Sequence, residues 1–535
     1  MNAQCTRLAR RVALPSAIAA SFCAAVVIAQ PAPHNGPRQV DPRWHALVHA
    51  DVVPRPGELI ENATVVIRNG VITSVESGGA PPEGARVWDL SGRIIYAGFV
   101  DPHVPVDAPA PDKDRPGAHW NEKVTPQRSA LDGEGLDAKT REELRKMGFA
   151  AAAISPKGGV FRGSAAVVSL GDDADLSAAE AATVLLPLSY HEVAFETAGW
   201  GSASYPGSQM GAIALIRQTL LDADWHADMN DAYKRAPESH EPPAPSDALD
   251  AIGRNLRDQP PLLFDADDEL EALRAAKIAE EFNRFHIILG SGTEFRRLDA
   301  IAANRSPVIV PLDYPEAPKV DTRAAFESTS LSELMTWEQA PTNARRLHEA
   351  GLLVALTTDR LKKRSDFHPN LRKAIEHGLD EDAALAMLTT APAYILGVGE
   401  RLGEVHPGMI ANLVVTDRNV FDEKATILDV WVGGRRYQIN EPKPMHLAGK
   451  WDFTFGGDPS HDGVLHIDVD DKGKVSVELA KAEGDDAAED EKPVKARNVK
   501  VVENRLSYLV DSPEGDGVIL ASAVIEGDSL LGTIV

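Results

Sequence analysis

Cysteine is nearly absent from this 535-residue chain, which contains only Cys5 and Cys23. Both precede residue 30, so the remainder has no thiol nucleophile, no disulfide and no cysteine metal ligand. Export without disulfides requires a large core, and a hydrophobic content of 43% is sufficient to build one.

The chain also has fewer basic than acidic residues. The chain carries 80 acidic and 55 basic residues, a formal net charge of -25. Such a surface repels nucleic acid and anionic lipid, so neither is an expected partner. No glycine-rich fingerprint follows an early strand, which argues against a dinucleotide-binding domain.

The N-terminus has the pattern of a signal peptide. Basic residues come first, at Arg7, Arg10 and Arg11, and an apolar stretch covers Ala13–Ala29. This stretch is short for a membrane span, and small residues precede a predicted cleavage after Ala29. We therefore predict a leader over 1–29 and export to the periplasm or the medium. An uncleaved anchor is the alternative, whereas Phe22 before Cys23 disfavours a lipoprotein.

Strand patterns occupy both flanks of a long central region. Trp44–Leu90 shows short β-branched runs, and Asn69-Gly70 predicts a hairpin turn. Strand-like runs return at Leu413–Thr416 and Leu428–Val432. We predict that 44–92 and 401–440 fold together as one composite β-sandwich.

The central region alternates helical patterns with short apolar runs. The helix-then-strand pairs are Arg141–Met147 with Ala150–Ile154, Asp268–Phe282 with His286–Leu289, Leu298–Asn304 with Val308–Leu312, and Thr342–Ala350 with Leu352–Leu356. Such alternation predicts a parallel sheet covered by helices. Its length favours a (β/α)₈ TIM barrel over 93–400, with an open doubly wound sheet as the alternative.

From about Leu447 onward the chain shows alternating strand patterns without clear helices, which predicts a separate all-β module over 447–535. The acidic stretch Glu483–Glu491 is most simply a solvated linker. The final residues, Gly532–Val535, have a strand pattern, which suggests an incomplete module or a longer parent protein.

Three stretches carry a family resemblance. Ala63–Ile72 resembles the opening β-module of the amidohydrolase superfamily, Asp89–His103 resembles the entry into its first barrel strand, and Arg401–Asp417 resembles the return to the β-module. The resemblance extends to secreted, imidazolonepropionase-like members and to the leading half of tandem-repeat proteins. It implies a TIM barrel, a divalent metal of the zinc type, and hydrolysis of non-peptide carbon–nitrogen bonds in small molecules.

The metal ligands that this resemblance implies are incomplete. Two histidines end the family's first strand, and here His103 fills the first position while Pro105 occupies the second. Asp359, after the last strand, matches the aspartate that binds metal and acts as the general base toward water. Asp265 ends a middle strand where a histidine would be useful, and His286 begins the next strand rather than ending it.

Carboxylates could replace the missing nitrogens. Asp265 and Glu294 follow apolar strands, as Asp359 does, and oxygen ligands suit Mg²⁺, Ca²⁺ or Mn²⁺. Ordinary loop carboxylates are the simpler interpretation. Arg162, in the glycine-rich stretch Lys157–Ser164, could hold an anionic group, although a packing loop explains it equally well.

Three functions remain compatible with the sequence. The first is an exported hydrolase with a reduced metal site and a small-molecule substrate. The second is a non-catalytic barrel that binds or scaffolds, for which a tandem amidohydrolase repeat is a possible partner. The third is a non-hydrolytic enzyme that uses carboxylates alone.

Overall fold

The structure is a computed structural model. It describes residues 5–10, 44–172, 184–187, 189–198, 204–258, 261–441, 447–454, 463–470, 474–481, 494–502, 505–511, 517–526 and 529–534. The chain divides into two compact units, a large one over 39–440 and a smaller one that combines 1–38 with 441–535. The predicted cleavage site after Ala29 and the acidic stretch Glu483–Glu491 lie outside the described residues.

Strand numbering begins with β1, Cys5–Arg10, which belongs to the smaller unit. In the large unit, the strands before the first helix are β2 Trp44–Val53, β3 Ile60–Arg68, β4 Val71–Ser77, β5 Arg86–Asp89, β6 Ile94–Ala97 and β7 Phe99–Val106. The middle strands are β8 Phe149–Pro156, β9 Phe161–Ser164, β10 Ala166–Ser169, β11 Val184–Leu186, β12 His191–Ala194, β13 Leu262–Asp265, β14 His286–Leu289, β15 Val308–Pro311 and β16 Val354–Thr357. The closing strands of this unit are β17 Leu413–Thr416, β18 Ile427–Val432 and β19 Arg435–Gln438.

Helices alternate with the middle strands. They are α1 Ala138–Lys146, α2 Gln209–Arg235, α3 Asp247–Asp258, α4 Glu269–Glu281, α5 Leu298–Ala303, α6 Arg323–Ser328, α7 Leu331–Gln339, α8 Asn343–Glu349, α9 Phe367–Glu376, α10 Glu381–Leu388 and α11 Thr390–Ile395. Their ends follow local capping chemistry. The Ser208 side chain accepts from the N–H of Gly211 to begin α2.

Both flanks of the large unit contribute to one eight-stranded sheet. Its order is β19-β18-β17-β6-β2-β3-β4, with β5 paired to β2. The β3–β4 hairpin turns at Asn69-Gly70, where both residues have positive φ. Strand β17 pairs with β6, so that the segment after the helices returns beside the segment before them.

The middle strands form two sheets. One has the order β11-β10-β8-β7 and the other β16-β15-β14-β13-β12-β9. Strands β12 to β16 run parallel, and β7 runs parallel to β8. The predicted alternation of helices with parallel strands is confirmed, whereas the closed eight-stranded barrel stays a prediction.

Side chains alternate between two cores along these strands. In β13, Leu262 and Phe264 pack in one hydrophobic cluster with residues of α4, while Leu263 packs in another. The second cluster joins residues of both sheets, including Val100 of β7 and Ile287 of β14. One face of each sheet therefore contacts the helices, and the opposite faces share one core.

The smaller unit is a nine-stranded antiparallel sheet. Its strands after β1 are β20 Gly449–Thr454, β21 Gly463–Val469, β22 Val475–Lys481, β23 Val494–Lys495, β24 Arg497–Val502, β25 Arg505–Asp511, β26 Val518–Glu526 and β27 Ser529–Ile534. The order is β23-β22-β21-β20-β1-β27-β26-β25-β24. Trp451, Leu506 and Leu530 are buried in its core.

Candidate functional site

Charged side chains converge at one end of the parallel strands. Glu192 lies in β12, Asp265 is the last residue of β13, and Asp359 follows β16. His103 lies in the last half of β7, and Arg162 comes from the short strand β9. The carboxyl ends of parallel strands meet at one edge, which brings Asp265 and Asp359 near His103. The antiparallel pairing of β9 with β12 places Arg162 beside Glu192.

His103 lies between two carboxylates. Its Nδ1 is 3.0 Å from Asp359 Oδ2, and its Nε2 is 3.2 Å from Glu192 Oε2. Burial by itself would lower the pKa of His103, but the charge of Glu192 and hydrogen bonds to both carboxylates raise that pKa to about 9. Both ring nitrogens therefore face carboxylate oxygens, an arrangement that favours the imidazolium form, which donates from both nitrogens.

Glu192 is buried as completely as its partner, with 1% of its side chain exposed. Burial would raise its pKa, but the charge of His103, and also that of Arg162, lowers it below the usual range. Ser155 of β8 donates its hydroxyl to Glu192 Oε2, and Arg162 Nη1 donates to Oε1. Both carboxylate oxygens are thus engaged.

Two guanidinium groups complete the cluster. Arg162 Nη1 also lies 2.7 Å from Asp265 Oδ2, so one nitrogen bridges Glu192 and Asp265. Arg360 Nη2 donates to Asp265 Oδ1, and Arg360 Nη1 donates to the carbonyls of Ala266 and Gly290 at 2.9 and 3.0 Å. Burial lowers the pKa of Arg360 to about 10, at which it remains a cation at neutral pH.

Next to His103, a buried carboxyl group is held by uncharged hydrogen-bond donors. Asp101, wholly buried in β7, accepts from the Thr357 hydroxyl at 2.7 Å and from the Thr358 hydroxyl at 2.6 Å. The backbone N–H groups of Thr358 and His103 add donors at 3.1 and 3.2 Å. Burial raises the pKa of Asp101 because its partners carry no full charge. The Thr357 hydroxyl also lies 2.8 Å from the carbonyl of His103.

Four of the residues selected from the sequence meet in this cluster, namely His103, Asp359, Asp265 and Arg162. The fifth, Glu294, has other partners. Its carboxylate accepts from the N–H groups of Ser291 and Gly292 at 2.6 and 3.1 Å and from Asn343 Nδ2 at 2.6 Å. These bonds hold the loop after β14.

Sequence reasoning missed Glu192 and Arg360. Glu192 stands in a four-residue strand, His191–Ala194, in which all four residues are buried, and no hydrophobic alternation marks that strand. Arg360 directly follows Asp359 in the sequence, but its guanidinium contacts Asp265. The sequence signal available for Arg360 was an arginine directly after Asp359.

Metal-site geometry is not found in the described part of the chain, where no group of three or more His, Cys, Asp or Glu side chains is arranged to hold an ion. His286 lies at the start of β14 and contacts the Ser306 hydroxyl at 2.8 Å. Among the same residues, no helix combines the length and apolar character needed to cross a membrane.

A cavity of about 580 Å³ lies among the loops that follow β7 and β8. Its lining includes Lys123, Arg128, Lys157 and Gly159. Arg128 donates to the carbonyls of Ala108 and Lys157, and Gly159 donates its N–H to Glu196 at 2.7 Å. This volume is in the range of small-molecule sites.

Comparisons with known proteins agree with this architecture. A family model described as the amidohydrolase family matches residues 333–437. An amidohydrolase named tasK from Hapsidospora irregularis is 40% identical over 82 residues, which are 15% of this chain and 8% of that protein. An imidazolonepropionase from Deinococcus radiodurans is 40% identical over 60 residues, 9% of this chain and 15% of that protein. The chain thus spans less than a sixth of the length of either relative.

The solved structure of an amidohydrolase from Thermotoga maritima is similar in fold. It superposes with a TM-score of 0.59 at 22% identity and covers 74% of this chain and 99% of that one. With the family-model match over 333–437 and the two short relatives, this likeness in fold supports the amidohydrolase superfamily, a group of hydrolases that generally use a divalent metal.

Proposed function

We propose that residues 93–400 form an amidohydrolase-type TIM barrel that does not perform metal-dependent hydrolysis, and that the unit 39–440 works as a small-molecule binding module. The observation that carries this proposal is the pairing of His103, whose two ring nitrogens are both committed to carboxylates. An imidazolium with both nitrogens protonated has no lone pair for a metal.

Closure of the barrel is supported by contacts between the two sheets of the central region. The Thr357 hydroxyl of β16 donates to Asp101 of β7, which joins the first and last parallel strands. Inward residues of both sheets share one core, as Val100 and Ile287 illustrate. Such layered packing is what the interior of a TIM barrel requires.

The residues at the strand ends do not fit a divalent metal. A catalytic zinc site takes three protein ligands and a water, and the ligands must be deprotonated with free electron pairs. Pro105 offers no ligand where the family has a second histidine. Asp265 is occupied by Arg162 and Arg360, two fixed cations that repel a third. No hydrolytic step is therefore assigned to a metal here.

The binding role is supported by the cavity among the loops after β7 and β8, whose lining residue Gly159 accepts from Arg162 Nε of the cluster at 3.4 Å. Its volume of about 580 Å³ suits a small molecule, and its wall carries both cations, such as Lys123 and Arg128, and carboxylates, such as Asp112 and Glu122. Elemental analysis of the purified full chain after dialysis tests the main proposal. We expect less than about 0.1 equivalent of zinc, manganese or iron, against the full equivalent that a catalytic site would retain.

A second candidate function, hydrolysis of carbon–nitrogen bonds in small molecules, is favoured by Asp359. It follows the last parallel strand, is 17% exposed, and contacts His103. That function requires turnover of amides or cyclic imides, and loss of turnover in Asp359→Ala. One retained metal together with such a loss would overturn the binding-module proposal.

We further propose that the protein is exported, on the basis of the basic and apolar pattern over 1–29. Mass spectrometry of the protein from the extracellular or periplasmic fraction is expected to give a mature N-terminus at Gln30, so that the mature chain lacks β1 and its pairings with β20 and β27. An intact Met1 in that fraction would contradict cleavage.

A further inference from the structure

One guanidinium nitrogen occupies a bridging position between carboxylates of two neighbouring strands. Arg162 Nη1 contacts Glu192 of β12 and Asp265 of β13, which are neighbouring parallel strands. Arg360 binds the other oxygen of Asp265. Two arginine side chains of the protein itself therefore neutralise the carboxylates of these neighbouring strands.

The cluster contains as many positive as negative groups. Its cations are His103, Arg162 and Arg360, and its carboxylates are Glu192, Asp265 and Asp359. Each of these side chains is less than a quarter exposed. In such a poorly solvated place an unpaired charge is costly, so each carboxylate depends on its cation.

We infer that Arg162 and Arg360 are built-in counter-cations that take the place of the divalent metal at the strand ends of this barrel. This inference rests on the proposed function, because it requires that the wild-type site holds no metal. It also goes beyond that proposal, since it assigns a positive role to two arginines that the family resemblance does not explain.

A latent cation site follows from this arrangement. Removing the Arg162 side chain frees Glu192 Oε1 and Asp265 Oδ2, which then face the space the guanidinium had filled. Glu192 keeps His103 and Asp265 keeps Arg360, but the two freed oxygens have lost their shared cation and attract a hard divalent ion such as Mn²⁺. The variant is therefore expected to gain the affinity that the wild type lacks.

Thermal unfolding of the full chain, after dialysis against EDTA, tests this inference. Arg162→Ala is expected to lower Tm by roughly 2–4 °C, and excess Mn²⁺ is expected to restore at least half of that loss. The wild-type Tm is expected to be the same with Mn²⁺ and with EDTA. Arg436→Ala is the matched control, because Arg436 pairs with the buried Asp429 at 2.8 Å away from the cluster. Its loss should not respond to Mn²⁺.

Each outcome bears on a different claim. A wild-type chain whose Tm falls in EDTA would contradict both the proposed function and this inference. If the wild-type Tm is the same with Mn²⁺ and with EDTA, the proposed function stands. The inference alone is then overturned if Arg162→Ala has the wild-type Tm, or if Mn²⁺ raises its Tm no more than that of Arg436→Ala. If Arg162→Ala folds only when Mn²⁺ is present, the inference holds. If Arg162→Ala does not fold with or without Mn²⁺, and Mn²⁺ does not raise the Tm of Arg360→Ala either, the inference is wrong.

Discussion

Asp101 and Glu192 are both wholly buried, yet the protein satisfies them in opposite ways. Asp101 accepts only from neutral hydroxyl and backbone donors, and burial raises its pKa. Glu192 contacts His103 and Arg162, and their charges lower its pKa against the effect of burial. A carboxyl held by neutral donors can survive the loss of its charge, whereas one held by cations cannot lose its charge without leaving those cations unpaired.

The largest effect is expected from neutralising Glu192. Glu192→Gln keeps the shape of the side chain but leaves His103 and Arg162 without their shared anion. Breaking one partner of a buried pair typically costs about 3–5 kcal/mol of unfolding free energy. Denaturant unfolding measures this loss.

Glu271→Gln is the matched control for that experiment. Glu271 is also buried, but it accepts from Gln209 and from the N–H of Asp267 and has no cation among these partners. We expect a loss of no more than about 1 kcal/mol. Equal losses in the two variants would remove the distinction between charged and neutral partners.

The next largest effect is expected in the dependence of the unfolding free energy on pH. The pKa of His103 is raised from 6.5 to about 9, so its contribution to stability is fully present below pH 6.5 and is lost as the pH rises through about 9. The shift corresponds to about 3 kcal/mol. The difference in unfolding free energy between wild type and His103→Gln should therefore shrink over this window. A difference that stays constant would show that the imidazolium is not held by its carboxylates.

The same contrast explains what the sequence could predict. Helix and strand positions were predictable because local patterns set them: the predicted strand His286–Leu289 is exact in β14, and the predicted helix Asp268–Phe282 differs from α4 by one residue at each end. The hairpin at Asn69-Gly70 and the capping Ser208 follow the same local logic.

The partners of the site residues could not be predicted in this way. His103 and Glu192 are separated by 89 residues, and His103 and Asp359 by 256. Family resemblance led to His103 and Asp359, but nothing in the local pattern around Arg162 indicated that its guanidinium would bridge two carboxylates. Such pairings depend on which strands become neighbours, and that is a property of the whole fold.

Loss of one hydroxyl donor to Asp101 is expected to lower the free energy of unfolding by an intermediate amount. Thr358→Val removes the 2.6 Å hydrogen bond to Oδ2 and retains only the backbone N–H of residue 358 as a donor there. Because no cation compensates, we expect a loss of about 2 kcal/mol, measured by denaturant unfolding. A loss near zero would show that the remaining donors satisfy Asp101 without this hydroxyl.

The smallest effect is expected for Ser155→Ala, although Ser155 also donates to a buried carboxylate. Its acceptor, Glu192 Oε2, keeps the contact with His103, and Oε1 keeps Arg162, so most of the stabilisation of the anion survives. We expect a loss of about 1 kcal/mol in unfolding free energy, below that of Thr358→Val. Ser189→Ala is the control, because the buried Ser189 hydroxyl donates to the carbonyl of Leu396, an uncharged acceptor. If Ser155→Ala costs clearly more than Thr358→Val, then hydroxyl donors rather than the cations hold Glu192, and the assignment of His103 and Arg162 as its main partners is wrong.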